Sequence, residues 1–167
     1  MLLILQVIAV TLVSIAMALA LAHALELPGK MRLSEDTYRA VQSIYYPGFT
    51  IGGGFGEGLG LLALLGLLVA MPSGSASFWL TLAAFIGLAA MHSGYWLLTH
   101  PVNNFWVEDI GMGKAGSAFF GVGVPKDRQA GHAQDWRALR DRWEYSHVIR
   151  AALGLVSQTL LIIAIAL

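Results

Sequence analysis

The sequence predicts an all-α fold: a polytopic membrane protein built as a bundle of four transmembrane helices. Of its 167 residues, 57% are hydrophobic and only 12% are charged, and the mean hydropathy is +0.68. Soluble domains carry about 25% charged residues. The deficit arises from long uncharged stretches, each close to the roughly 20 apolar residues that a membrane-spanning helix requires.

Four such stretches are present, and we expect them to form a single domain over residues 1–167. The predicted spans are residues 2–25, 49–71, 77–98 and 148–167. The connections fall at 27–48 and 99–147, and a short uncharged turn, MPSGSAS, joins the second and third spans. The first span does not fit a cleaved signal peptide, because it lacks a basic start and is longer than the roughly 7–15 apolar residues of such a peptide.

The basic residues predict the orientation of the bundle. Nine of the ten Lys and Arg residues lie in the two connections, and the tenth, Arg150, is in span four: Lys30, Arg32 and Arg39, then Lys114, Lys126, Arg128, Arg137, Arg140 and Arg142. Basic loops stay in the cytoplasm. We therefore expect both termini to face outward, and the setting to be a bacterial inner membrane.

The first connection contains the start of a short helix. Ser34 followed by Glu35 and Asp36 is typical of an N-cap with acidic residues in the first turn. Tyr45 and Tyr46 stand where an aromatic belt would lie, so we expect a short interfacial helix after the first span. The second connection carries the apolar segment AFFGVGVP, and from residue 133 its pattern predicts one helix that continues into span four.

Charge and cysteine content exclude several classes of function. Ten basic and ten acidic residues give a net charge of zero, so overall charge does not favour nucleic acid as a partner. The chain has no cysteine, which excludes disulfides, iron–sulfur clusters and thiolate metal sites. Five histidines and a few carboxylates remain as candidate metal ligands.

Every span carries an ionisable group in the half that is predicted to be cytoplasmic. Glu57 lies about 12 Å along span two, and His92 about 9–12 Å inside the end of span three, at 1.5 Å per residue. The remaining groups lie near the same surface: His23 and Glu26 on span one, and a stripe of Trp143, His147, Arg150 and Gly154 on span four.

Groups of this kind are expected to meet inside the bundle. A charge within the membrane costs about 2.5–3.5 kcal/mol on insertion scales and usually faces the bundle interior. Gly52, Gly56 and Gly60 form a ridge that allows a neighbouring helix to come close, while Gly53, Gly54 and Gly58 remove side chains around Glu57. The glycines therefore predict either tight packing or room for a ligand.

Each polar residue also has a purely structural interpretation. Glu57 can be a protonated hydrogen-bonding link between helices, and His92 a similar link. His23, His147 and Arg150 lie close enough to the interface to reach it with their polar ends. His100 is expected to cap span three, and His132 to face solvent in a loop. The coincidence of the groups at one depth favours a shared polar site.

Two segments resemble a known family. HPVNN follows span three and WRALRDRWEYSHVIRAALGL enters span four. They resemble the anthrone-oxygenase-like family of small four-helix membrane proteins, many of which have no assigned reaction. The residues that carry the resemblance are Pro101, Asn103, Asn104, Trp136, Arg140, Trp143, His147 and Arg150. The family's known activity is oxidation of polycyclic anthrones to anthraquinones by O2 without a conventional cofactor. The resemblance implies an oxygenase role for His147 and Arg150.

Three functions are compatible with the sequence. The first is an oxidoreductase acting on a hydrophobic aromatic or quinol-type molecule, with His147, His92 or Glu57 as base and Arg150 stabilising an anion. Trp143, Trp96 and Asn103 are the residues predicted to contact a cofactor or ligand. The second is a metal or haem site with ligands from His23, Glu26, Glu57, His92 and His147. The third is a non-catalytic accessory subunit of a larger membrane complex. The expected partners are the lipid bilayer, a hydrophobic small molecule, and either further copies of the chain in a homo-oligomer or a larger membrane complex.

Overall fold

The computed structural model describes residues 2–46, 48–106 and 135–167, apart from the Asn104 side chain, and these residues are almost entirely helical. The long helices are α1 (Leu2–Lys30), α3 (Gly48–Ala70), α4 (Ala76–Gly94) and α6 (Trp136–Ala166). The shorter ones are α2 (Glu35–Gln42), a 3₁₀ turn (Ser43–Tyr45), a π turn (Tyr95–Thr99) and α5 (His100–Trp106). The all-α prediction is confirmed.

Within the described residues, four helices are long and apolar enough to cross a membrane: Leu2–Lys30, Gly48–Ala70, Ala76–Asn103 and Trp136–Ala166. Large apolar side chains cover their outer faces. Val69 is 81% exposed and Leu3 is 70% exposed, as expected for surfaces that contact lipid rather than water. The described residues therefore confirm an all-helical bundle with four helices that could span a membrane, as predicted.

Two span boundaries differ from the prediction. α1 continues past Pro28 to Lys30, and the third span continues through the π turn into α5. The expectation that His100 caps the third span is wrong, because the His100 backbone N–H bonds to Tyr95 O and the helix continues to Trp106.

The glycines of α3 set the distance between α1 and α3. A Cβ added at Gly56 would lie 2.9 Å from Ala16 N and 3.1 Å from Leu12 O, both backbone atoms. A Cβ at Gly52 would lie 2.9 Å from Leu19 Cδ1. The predicted ridge therefore packs helix against helix, whereas a Cβ at Gly53 or Gly58 would meet nothing within 4 Å.

The buried residues form two clusters. A mainly aliphatic core runs along the spans and includes Ala9, Val13, Ala16, Leu64, Leu67, Ala84, Leu88, Met91 and Leu161. The second, which we call the aromatic cluster, lies at the end of the bundle nearer α2 and consists of Tyr38, Tyr45, Val102, Trp106 and Trp143. It closes that end of the bundle.

The start of α2 follows the predicted capping pattern. Ser34 is the N-cap, and its Oγ accepts a hydrogen bond from Thr37 N at 3.5 Å. The belt interpretation of Tyr45 is wrong, because this residue is 5% exposed and packs inside the protein. The segment AFFGVGVP, His132 and the basic residues Lys114, Lys126 and Arg128 lie outside the described residues.

Candidate functional site

Glu57 lies at the centre of a polar group formed by three helices. It is 2% exposed. One carboxylate oxygen accepts a hydrogen bond from Arg150 Nη2 of α6, and the other lies 3.0 Å from His92 Nδ1 of α4. The prediction that titratable groups from separate spans converge is therefore confirmed.

The hydrogen-bond direction at His92 follows from its second neighbour. The indole N–H of Trp96, which can only donate, lies 3.0 Å from His92 Nε2. His92 Nε2 is then an acceptor, and the proton of the neutral ring is on Nδ1, where it is donated to Glu57. Trp96 thus orients His92, and His92 holds the Glu57 carboxylate.

His147 presents a buried N–H. Arg150 Nη1 lies 3.2 Å from His147 Nδ1. Because a guanidinium can only donate, Nδ1 accepts and the ring proton is on Nε2. Among the described residues Nε2 has no hydrogen-bond partner, although His147 is only 5% exposed. A buried donor without a partner costs about 1–3 kcal/mol, so this N–H favours the binding of an acceptor.

His23 of α1 has the same arrangement. Lys30 Nζ lies 3.3 Å from His23 Nδ1, and an ammonium also only donates, so the His23 proton is likewise on Nε2. The His23 ring centroid lies 4.2 Å from that of His147 and 5.0 Å from that of Trp143. The two imidazoles therefore pack together on one side of the site.

These groups surround a cavity of about 50 Å³. Its apolar wall includes Ala16, Leu19, Ala20, Phe49, Gly53 and Gly54, and its aromatic wall includes Tyr45, Tyr46, Tyr95 and Trp143. Its polar wall includes His23, Glu57, His92, Thr99, Asn103, His147 and Arg150. A volume of this size holds roughly three to five water molecules.

Asn103 connects the cavity wall to the aromatic cluster. Its Oδ1 accepts a 2.9 Å hydrogen bond from Trp143 Nε1 and lies 3.4 Å from the Tyr46 hydroxyl. Its Nδ2 donates to the Tyr95 hydroxyl at 3.4 Å. The amide therefore fixes three aromatic side chains that face the cavity.

A second polar group is centred on the buried Lys30 and Glu144, and of its members only Glu26 was predicted from the sequence. Lys30 is 4% exposed and lies 3.0 Å from Glu26 and 3.6 Å from Glu144, which is fully buried. The Tyr38 hydroxyl donates to Glu144 Oε1 at 2.7 Å, and that of Tyr45 donates to Glu26 at 2.6 Å. Burial, together with these carboxylates, raises the pKa of both tyrosines above the usual range.

Helical spacing places members of this group on common faces of α1 and α6. His23, Glu26 and Lys30 follow an i, i+3, i+7 pattern on α1 and share one face. Glu144 stands between Arg140 and His147, at i+4 and i−3, on the same side of α6. The interpretation of Lys30 as a loop residue concealed the pattern.

The structure brings most of the predicted site residues together. His147, His92, Glu57, Arg150, Trp143, Asn103 and His23 all line the cavity. Glu26 and Trp96 do not. Glu26 contacts Lys30, and Trp96 lies behind His92. Trp96 is therefore placed as a support for His92 and not as a wall of the cavity.

The five residues predicted as metal ligands do not form one ligand set. Within residues 2–46, 48–106 and 135–167, no group of three or more His, Asp or Glu side chains is arranged to hold a metal ion. The cations of Lys30 and Arg150 occupy the Nδ1 positions of His23 and His147, and they would repel a metal cation at those rings. These five residues therefore do not fit the predicted metal site.

We compared the chain with protein-family models, with curated proteins and with solved structures, and none of them matched.

Proposed function

We propose that the protein is a membrane oxidoreductase whose cavity binds an apolar aromatic molecule with an ionisable hydroxyl group, such as a phenol or a quinol. One observation carries the proposal. On the polar wall of a largely apolar cavity, a buried carboxylate, a guanidinium and an imidazole N–H that has no partner among the described residues come together. Apolar walls with a few converging polar groups are typical of small-molecule sites.

The hydrogen-bond directions favour Glu57 as the base among the three candidates. His147 and His92 both hold their ring lone pair in a hydrogen bond, to Arg150 and Trp96 respectively. A carboxylate has about four acceptor positions, so Glu57 retains capacity after bonding to Arg150 and His92. It can accept the proton of a substrate hydroxyl that lies against it.

Arg150 and His147 then stabilise the anion that forms. Fixed donors aimed at developing negative charge, in a site from which water is largely excluded, are an effective form of catalysis. The Nε2–H of His147 and the guanidinium of Arg150 supply such donors on the cavity wall. Before proton transfer, the substrate hydroxyl donates a hydrogen bond to Glu57. After it, the substrate oxygen is an anion that accepts hydrogen bonds from Arg150 and His147.

Dioxygen is the oxidant in this proposal. An electron-rich phenolate or enolate transfers electrons to O2 readily. A hydroquinone would lose two electrons and two protons and give a quinone and hydrogen peroxide. An activated ring CH2 would give a carbonyl group and water. The resemblance to the anthrone-oxygenase-like family supports this chemistry, since Trp143, His147 and Arg150, which carry the resemblance, line the cavity.

We also infer how the bundle sits in the membrane. The basic residues of the connections favour a cytoplasmic location for the aromatic cluster and outward termini. The helix α2 begins with acidic residues and buries its own Tyr38 side chain. It would then lie along the interface of a bacterial inner membrane.

The test is O2 consumption by purified protein in lipid nanodiscs with a membrane-soluble hydroquinone, after subtraction of autoxidation. Glu57→Gln keeps the size of the side chain and removes the base, so we expect the protein-dependent rate to fall by about 100-fold or more. Glu35→Gln is the matched control, because Glu35 pairs with Arg39 far from the cavity. Equal rates for wild type, Glu57→Gln and Glu35→Gln would exclude the proposed role.

A further inference from the structure

We propose that the ligand enters the cavity directly from the bilayer, through a side opening between α3 and α4 at Gly53 and His92. The ligand class that fits this route is a single-ring phenol with an apolar substituent. The phenol part of this inference rests on the proposed function, whereas the opening itself is independent of it.

Close contacts between helices seal the other sides of the bundle. α1 and α3 touch at Gly56, where an added Cβ would lie 2.9 Å from Ala16 N. α1 and α6 touch at Gly154, where it would lie 3.2 Å from Met17 Cα. α4 and α6 touch at Gly94, where it would lie 3.4 Å from Cγ of Arg150, which lines the cavity. A ligand cannot pass between helices at such distances.

The contact between α3 and α4 closes at one level and opens at another. At Gly60 an added Cβ would lie 3.1 Å from Leu88 Cδ2. At Gly53, two turns away and on the Glu57 face, it would meet nothing within 4 Å, although Gly53 lines the cavity. His92 also lines the cavity, and its side chain is 33% exposed. An exposed wall residue bonded to Glu57 indicates that the cavity reaches the outer surface here.

The end of the bundle nearer α2 offers no comparable passage among the described residues. The aromatic cluster fills it, with Tyr38 fully buried and Trp143 2% exposed. Asn103 ties Trp143 to Tyr95 across the floor of the cavity. The side opening is therefore the route that the described part of the chain leaves free.

The polar wall of the cavity fixes the polar part of the ligand. The Nε2–H of His147 is buried without a partner in the described residues and calls for an acceptor oxygen, while Glu57 accepts a donor. The cavity volume of about 50 Å³ is smaller than the roughly 150 Å³ of a cavity that binds benzene, so it encloses the hydroxyl end of the ligand and not the whole ring with its substituent. The hydroxyl would therefore lie at Glu57 and His147, and the substituent would occupy the opening beside Gly53.

The first experiment blocks the opening. Gly53→Phe places a ring in it, and Gly58→Phe is the matched control, because Gly58 also has no neighbour within 4 Å of an added Cβ but does not line the cavity. Binding of 4-heptylphenol in nanodiscs is followed by stopped-flow tryptophan fluorescence. We expect the association rate to fall at least tenfold for Gly53→Phe and to stay within twofold for Gly58→Phe. Equal rates for the two variants would overturn the route.

The second experiment does not depend on any ligand. The chain has no cysteine, so Gly53→Cys gives a single site for a nitroxide spin label. We expect strong relaxation of this label by O2, which is concentrated in lipid, and weak relaxation by a water-soluble nickel chelate; the reverse pattern would overturn entry from the bilayer. If heptylphenol fails to bind wild-type protein while the label reports lipid, the ligand class and the proposed function fail and the opening stands.

Discussion

Replacement of Arg150 by Met tests whether the ion pair at the centre of the bundle is required for its stability. The change removes the cation from Glu57 and leaves a carboxylate that is 2% exposed. Loss of one partner from a buried ion pair costs about 3–5 kcal/mol. The hydrogen bond between His92 and Glu57 at 3.0 Å remains. We therefore expect the free energy of unfolding to decrease by about 3 kcal/mol, the lower end of that range.

A double variant separates the effect of the unpaired Glu57 carboxylate from that of the packing lost with the Arg150 side chain. Glu57→Gln combined with Arg150→Met leaves a neutral amide in place of the carboxylate. Since neutral replacements of buried pairs are often tolerated, we expect the double variant to be more stable than Arg150→Met alone, by about 1–2 kcal/mol. Glu35→Gln, which breaks a half-exposed pair, should change stability by less than about 1 kcal/mol.

The assay is reversible unfolding in mixed micelles of a non-ionic detergent and increasing SDS, followed by far-UV circular dichroism. The midpoint and slope give the free energy of unfolding for each variant under the same conditions. The reasoning would be refuted if Arg150→Met stayed within 1 kcal/mol of wild type. It would equally be refuted if the double variant were no more stable than the single one.

Two further predictions concern packing and pH. In the same SDS titration, Gly56→Ala should destabilise the bundle by about 1–3 kcal/mol, because its Cβ would meet the Ala16 backbone. Gly58→Ala is the control: its Cβ has free space, so the change should be neutral or stabilising by up to about 1 kcal/mol. An equal loss of stability for both variants would contradict the packing at Gly56. Because the pKa of Tyr38 and Tyr45 is raised, the folded state keeps two protons that the unfolded chain releases above about pH 10. Above that pH, the free energy of unfolding should therefore fall by about 1.4 kcal/mol per pH unit for each tyrosine. Unfolding midpoints between about pH 9 and 11 measure this fall, and Tyr38→Phe should reduce its slope; an unchanged slope would show that Tyr38 does not contribute.

The number of spans and the meeting of Glu57 with His92 and Arg150 could be predicted from the sequence. Both follow from the cost of placing polar groups in hydrocarbon, which acts locally on each helix. The close contact at Gly56 was predictable for a similar reason, since a ridge of small residues has few other uses in a membrane.

The buried position of Lys30 could not be predicted in this way. A lysine after a proline at the end of a span is typical of a loop, and the continuation of α1 past Pro28 depends on partners from other helices. Glu144 and the Tyr45 ring supply these partners only once α6 and the 3₁₀ turn are packed. Which ring nitrogen of each of the cavity histidines carries the proton likewise depends on Lys30, Arg150 and Trp96. The positions of these side chains relative to the rings are set by the tertiary fold.

The π turn at Tyr95–Thr99 has a consequence for the evolution of this chain. Such a turn is equivalent to the insertion of one amino acid into an α-helix, and it rotates all that follows by about 100°. Val102, Asn103 and Trp106 are buried as a result, and the Leu97 carbonyl bonds to Arg142 Nη2 at 3.0 Å. A homologue that lacked one codon in this turn would therefore direct a different set of side chains inward, and its binding preferences would change without a substitution at Glu57, His147 or Arg150.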